Sequence, residues 1–191
     1  MRLFIVRHGE TPWNVEGRLQ GQRDIAMNGR GRDQADAAGR VLARVMTDAA
    51  AAHYVSSPLG RTRETMERLR TAMGLDPAGY ALDDRLKEIT FGRWEGLTWP
   101  ELAQRDPDGA SGREADKWGF VPPGGESYHM LTERLQPWLD GLTGDTVAVT
   151  HGGVARALMA MIGGMDRAEA PLTVVRQGEV MLFESNSWRW L

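Results

Sequence analysis

The chain has no cysteine among its 191 residues. That excludes disulfides, zinc–thiolate sites and a cysteine nucleophile. Lysine is nearly absent, with arginine supplying 21 of the 23 basic residues. Histidine is scarce, with four copies: His8, His53, His129 and His151. No apolar run approaches the length of a membrane span, so no membrane association is expected. The formal net charge is only −3, which argues against general nucleic-acid binding. The first apolar run starts at residue 3 and leaves no room for the regions of a signal peptide, so a cytoplasmic protein is expected.

What remains is an ordinary globular composition, 41% hydrophobic and 26% charged. The length suits one domain over residues 1–191 with a substantial core. Leu3-Phe4-Ile5-Val6 reads as a short buried strand that runs into Arg7-His8, with Gly9 opening the following turn. Residues 11–25 carry Pro12, Gly17 and Gly21 and read as a long loop. Asn28 is a helix N-cap, and Ala35, Ala38, Val41, Leu42 and Val45 keep helical spacing after it.

Residues 52–56 predict a second strand. A helix is expected after it, with Ser57 as N-cap and Pro58 as first helical residue. That helix carries Arg61 in its first turn, and Gly74 and Pro77 end it. Tyr80-Ala81-Leu82 is a third candidate strand. Thr98 caps a short helix to Arg105, and residues 106–125 read as an irregular surface excursion. Tyr128 to Leu142 is amphipathic at spacings of three and four. Thr146-Val147-Ala148-Val149-Thr150 is a second buried strand, ending at His151-Gly152-Gly153 before a helix through Ile162. Residues 172–175, 179–183 and 188–191 read as short strands. Strand–helix alternation predicts a three-layer α/β/α sandwich with a mostly parallel central sheet.

His8 and His151 share a context, since each ends a β-branched apolar strand and each precedes glycine. If both strands are parallel and central, both histidines emerge at the carboxyl edge of the sheet, where ligands of open α/β sheets bind. Arg7 lies beside the first, and Arg61 faces the same edge. Two histidines and two arginines at one spot make an oxyanion pocket, with helix N-termini adding donors. A phosphate is the guest this chemistry fits. His8 is then a nucleophile attacking phosphorus, with its other ring nitrogen held by a hydrogen bond. Arg7, Arg61 and His151 offset transition-state charge. A general acid must protonate the leaving alcohol. Glu10, Glu88 and Glu95 are the candidates, Glu88 in the best context. No metal or other cofactor is called for, and there is no metal-spaced motif.

These residues form five ordered blocks: Arg7-His8-Gly9-Glu10-Thr11-Pro12-Trp13-Asn14 with Gly17-Arg18-Leu19-Gln20-Gly21; Ser56-Ser57-Pro58-Leu59-Gly60-Arg61-Thr62; Leu86-Lys87-Glu88 with Gly92-Arg93-Trp94-Glu95-Gly96; Pro123-Gly124-Gly125-Glu126-Ser127; and Thr150-His151-Gly152-Gly153. Together they resemble the histidine phosphatase superfamily, the phosphoglycerate-mutase-like proteins. The resemblance implies that His8 is phosphorylated, that Arg7, Arg61 and His151 bind the phosphoryl group with Asn14 assisting, and that Glu88 is the proton donor. It also places Gln20, Gly21 and Gly152 at the phosphate and substrate. Two departures stand out: Met27-Asn28 replaces the more usual Leu-Thr, and the chain is too short for the insertions of the glycolytic mutases. The second favours a phosphatase over a mutase. A catalytically decayed phosphate-binding module is the alternative from another class.

The expected partner is a small phosphorylated metabolite, with specificity placed in residues 11–25 and 106–125. The oligomeric state is open. His53 and His129 are expected to be solvated or packed. Trp94, Trp99 and Trp118 are candidates for the pocket mouth. Arg18, Arg23, Arg30, Arg32, Arg40 and Arg44 read as a solvated face.

Overall fold

The computed structural model describes residues 1–191. Its six-stranded sheet comprises β1 (Leu3–Arg7), β2 (His53–Ser56), β3 (Ala81–Leu82), β4 (Thr146–Thr150), β5 (Val180–Glu184) and β6 (Ser187–Trp190). The order across it is β3-β2-β4-β1-β5-β6. β1, β4, β2 and β3 pair in parallel, and β5 and β6 extend the sheet by antiparallel pairing. The helices are α1 (Pro12–Val15), α2 (Gly29–Val45), α3 (Gly60–Ala72), α4 (Trp99–Arg105), α5 (Pro107–Ala115), α6 (Tyr128–Asp140) and α7 (Gly152–Ile162).

The three layers follow from the alternation of side chains along a strand. Leu3 and Ile5 point to one face of β1, and there they pack with Leu131, Leu135, Val154 and Leu158 of α6 and α7. Phe4 and Val6 point to the other, against Ala38, Leu42, Met66 and Leu69 of α2 and α3. A strand covered on both faces must be apolar throughout, which is why β1 and β4 read as continuous apolar runs.

Register fixes what the carboxyl edge displays. Arg7 pairs with Thr150, and Ser56 with Val149. The backbone N–H of His8 donates to Thr150 O at 3.0 Å, and that of Ser57 to Val149 O at 3.0 Å. His8, His151 and Ser57 therefore leave three adjacent strands at the same level.

Four local expectations are corrected. The helix after β2 starts at Gly60, with Leu59 as an N-cap that makes no side-chain bond. Ser57 is engaged elsewhere, and the Gly60 N–H is instead taken by Asp24 Oδ1 at 2.9 Å, a cap brought from a distant loop. Residues 106–125 contain α5, started by Asp106 accepting from Gly109 N. No residue of α5 is buried, so it leaves no amphipathic signature. The 11–25 loop holds the short α1, closed by a Thr11–Asn14 capping box. Residues 172–175 are not a strand. Ala170–Leu172 form a single 3-10 turn, and the carbonyls of Thr173 and Val175 accept from the guanidiniums of Arg156 and Arg7 rather than from a neighbouring strand.

Candidate active site

A cavity of about 480 Å³ opens at the carboxyl edge of the sheet, lined in its inner part by Arg7, His8, Arg61, Glu88 and Gly152. His8 is nearly inaccessible, at 2% exposure. Its Nδ1 lies 2.8 Å from Gly9 O. A carbonyl can only accept, so Nδ1 carries the proton and Nε2 keeps the lone pair. Burial, then the charges of Arg61 and Arg7, hold the imidazole well below its ordinary pKa, so it is neutral at physiological pH.

The turn behind His8 is tightly built. Gly9 N donates to Thr65 Oγ1 at 3.1 Å. A Cβ on Gly9 would lie 2.1 Å from Gly31 O. Only glycine lets α2 approach this closely.

Arg7 ends β1, and its Nη1 bonds the Val175 carbonyl. Burial is the main reason its pKa falls to about 10, which leaves it charged at pH 7. Arg61 is fully buried. It donates to Arg23 O at 2.6 Å and Gly21 O at 2.8 Å, so the guanidinium also anchors the 20–23 loop. The Nε atoms of both arginines and the His151 Nδ1 are buried without a protein partner. Three polar groups of this kind around one imidazole form the cradle that a tetrahedral oxyanion fits.

His151 lies behind His8 rather than on the cavity wall, with ring centroids 5.2 Å apart. Its Nε2 is 2.9 Å from Ser57 Oγ. Burial, followed by Arg61 and His8, pushes its pKa well below the ordinary value. Ser57 is thus a site residue that the sequence reading assigned to a helix cap.

Of the three candidate proton donors, only Glu88 lines the cavity. Its Oε1 accepts from Gly153 N at 2.9 Å and Ile89 N at 3.0 Å. A Cβ on Gly153 would lie 2.4 Å from that oxygen, so the second glycine after His151 makes room for the carboxylate. Glu10 faces α2 and accepts from Asn28 Nδ2. Glu95 accepts from Thr90 Oγ1 and Gln22 N.

Asn14, Gln20 and Gly21 also line the cavity. The Asn14 Oδ1 is used in the α1 capping box. Gly21 takes φ +50°, and a Cβ there would meet Glu95 Oε1 at 2.0 Å. Trp99 lines the mouth, whereas Trp94 is core and Trp118 stacks on Tyr128. His53 and His129 are not on the cavity wall. Arg18 is on it, against expectation. Arg113, Glu114, Lys117, Tyr128 and Arg156 also lie on the wall and were missed. Arg156 had a signal: it is one helical turn past Gly152 and so faces the same end of α7. Arg113 had none, because α5 shows no periodicity.

The model of the histidine phosphatase superfamily (branch 1) matches residues 3–191. Phosphoglycerate mutase-like protein 4 of Arabidopsis thaliana is 31% identical, over 97% of this chain and 81% of its own. A bifunctional protein of Mycobacterium tuberculosis is 38% identical over 152 residues; the match covers 78% of this chain but only 40% of that longer one. The solved structure of a mycobacterial glucosyl-3-phosphoglycerate phosphatase complexed with VO3 superposes with a TM-score of 0.83 at 31% identity, covering 100% of this chain and 96% of that one. This chain belongs to the histidine phosphatase superfamily, branch 1.

Proposed function

We propose that the chain hydrolyses phosphomonoesters through a phosphohistidine on His8. The carrying observation is the placement of that imidazole: its Nδ1 lies 2.8 Å from Gly9 O, which leaves the Nε2 lone pair free, and burial with the charges of Arg61 and Arg7 holds its pKa well below the ordinary value. The Nε2 attacks phosphorus in line with the ester oxygen, and the P–O bond to the alcohol breaks as the N–P bond forms. Arg7 and Arg61, with His151 behind, offset the charge of the non-bridging oxygens. Glu88 gives its proton to the departing alkoxide. The same carboxylate then takes a proton from water, whose oxygen attacks the phosphohistidine and releases inorganic phosphate with His8 restored. The arginine cations supply the positive charge, so the scheme needs no added metal.

The name of the mycobacterial relative supports a phosphatase. That of the Arabidopsis relative keeps a mutase as the second reading. In a mutase the acceptor is a second hydroxyl instead of water. Brief incubation with a ³²P-labelled phosphomonoester and alkaline quenching should trap acid-labile label on His8, and His8→Ala should lose both label and turnover. Full activity in His8→Ala ends the proposal. Conversion of 3-phosphoglycerate to its 2-isomer, faster than phosphate release, would favour the mutase.

A further inference from the structure

The cavity is larger than its inner cradle. Its volume of about 480 Å³ lies in the range of metabolite sites, well beyond a single phosphate. Six basic side chains line it against two acids, Glu88 and Glu114. Arg7 and Arg61 belong to the inner cradle. Arg18 is paired with Glu16 and Glu101, and Lys117 with Glu114. Arg113 and Arg156 are left, and neither is in an ion pair.

The two are held by uncharged contacts. Arg156 donates from Nε to Thr173 O at 2.7 Å, which fixes the guanidinium. A Cβ on Gly152 would lie 3.3 Å from its Nη1 and 3.4 Å from the Arg7 Nε, so this guanidinium and that of the inner cradle border one glycine. The Arg113 guanidinium lies 4.8 Å from the Trp99 ring centroid and 6.0 Å from that of Phe91. Those two rings stand edge to face, with centroids 6.3 Å apart. Burial, and behind it the charge of Arg156, lowers the Arg113 pKa. Like charges converging in a partly dry wall repel, unless an anion lies between them.

We propose that Arg113 and Arg156 bind a second anionic group of the substrate, a carboxylate or a further phosphate, in the outer half of the cavity beside the Trp99–Phe91 face. The proposal rests on the phosphatase reading and narrows its substrates to phosphomonoesters carrying another anion a few bonds from the ester.

Three unhydrolysable ligands of matched reach test it: propylphosphonate, 3-phosphonopropionate and propane-1,3-bisphosphonate. Calorimetry on the wild type should show one or both doubly anionic ligands binding roughly 10- to 100-fold tighter than propylphosphonate, the scale of charge-assisted hydrogen bonds. The tighter of the two identifies the second group. In Arg113→Gln and Arg156→Gln that preference should shrink by about tenfold or more. In turnover, 3-phosphoglycerate should outrun glycerol 3-phosphate through KM rather than kcat. Wild-type Kd values within about twofold for all three ligands, a measurement that needs no variant, overturn the proposal. So does a preference that survives in both variants. A retained binding preference with no turnover of any phosphoester overturns the phosphatase reading alone.

Discussion

At the residue scale, the site turns on which atoms are already committed. Gly9 O accepts from the His8 Nδ1–H, Ser57 Oγ is hydrogen-bonded with the His151 Nε2, and two backbone N–H groups hold one oxygen of Glu88. What is uncommitted faces the chemistry. Replacing Glu88 with Gln removes the proposed acid but keeps its shape. Hydrolysis of alkyl phosphates should slow by roughly 10² to 10⁴. p-Nitrophenyl phosphate, whose leaving group needs no proton, should slow far less. Equal slowing of both would remove Glu88 from the acid's role. His8, Arg61 and His151 were legible in the sequence because each follows a recognisable strand. The partner that fixes His151 was not, because Ser57 next to Pro58 carries the signal of a helix cap.

At the element scale, the carboxyl ends of β1, β2 and β4 carry the groups, and the starts of α3 and α7 close around them. Local rules account for α1 and α4, whose capping boxes are written in four consecutive residues. They fail for α3, whose start is capped by Asp24 from across the fold. They fail again for residues 172–175, where arginine side chains replace strand partners. The start of α7 gives a sharp test. A methyl at Gly153 would intrude on Glu88 Oε1 at 2.4 Å. Gly153→Ala should leave the far-ultraviolet circular dichroism spectrum unchanged and reproduce the leaving-group dependence of Glu88→Gln. A uniform loss on all substrates would mean that the methyl disturbs more than the carboxylate.

At the scale of the whole molecule, burying two histidines beside two arginines makes stability depend on pH. Both folded-state pKa values lie below 6.5, the ordinary value the unfolded chain retains. Above that pH neither state takes a proton, and the pair contributes no slope. As the pH falls below 6.5, the unfolded chain protonates both rings and the folded one does not, so stability is lost. The limiting slope is about 1.4 kcal/mol per pH unit for each ring. Urea melts at pH 7.0 and 5.5 should show the loss, and His8→Gln should roughly halve it. An unchanged midpoint over that interval would mean that the rings are charged in the folded protein.

The sequence by itself determined the layers, the two central strands and which residues meet in the candidate inner cradle. Strand alternation, apolar runs and glycine positions are local signals, and the order of the five motif blocks carries the family resemblance. Tertiary structure decided the rest. It put Glu88 on the cavity wall and left Glu10 and Glu95 off it. It gave Ser57 to His151 and Asp24 to the start of α3. It also turned Arg113, on a helix with no buried face, and Arg156 into neighbours across one cavity. Contacts between residues tens of positions apart depend on how the layers meet, and no local pattern in the chain records that.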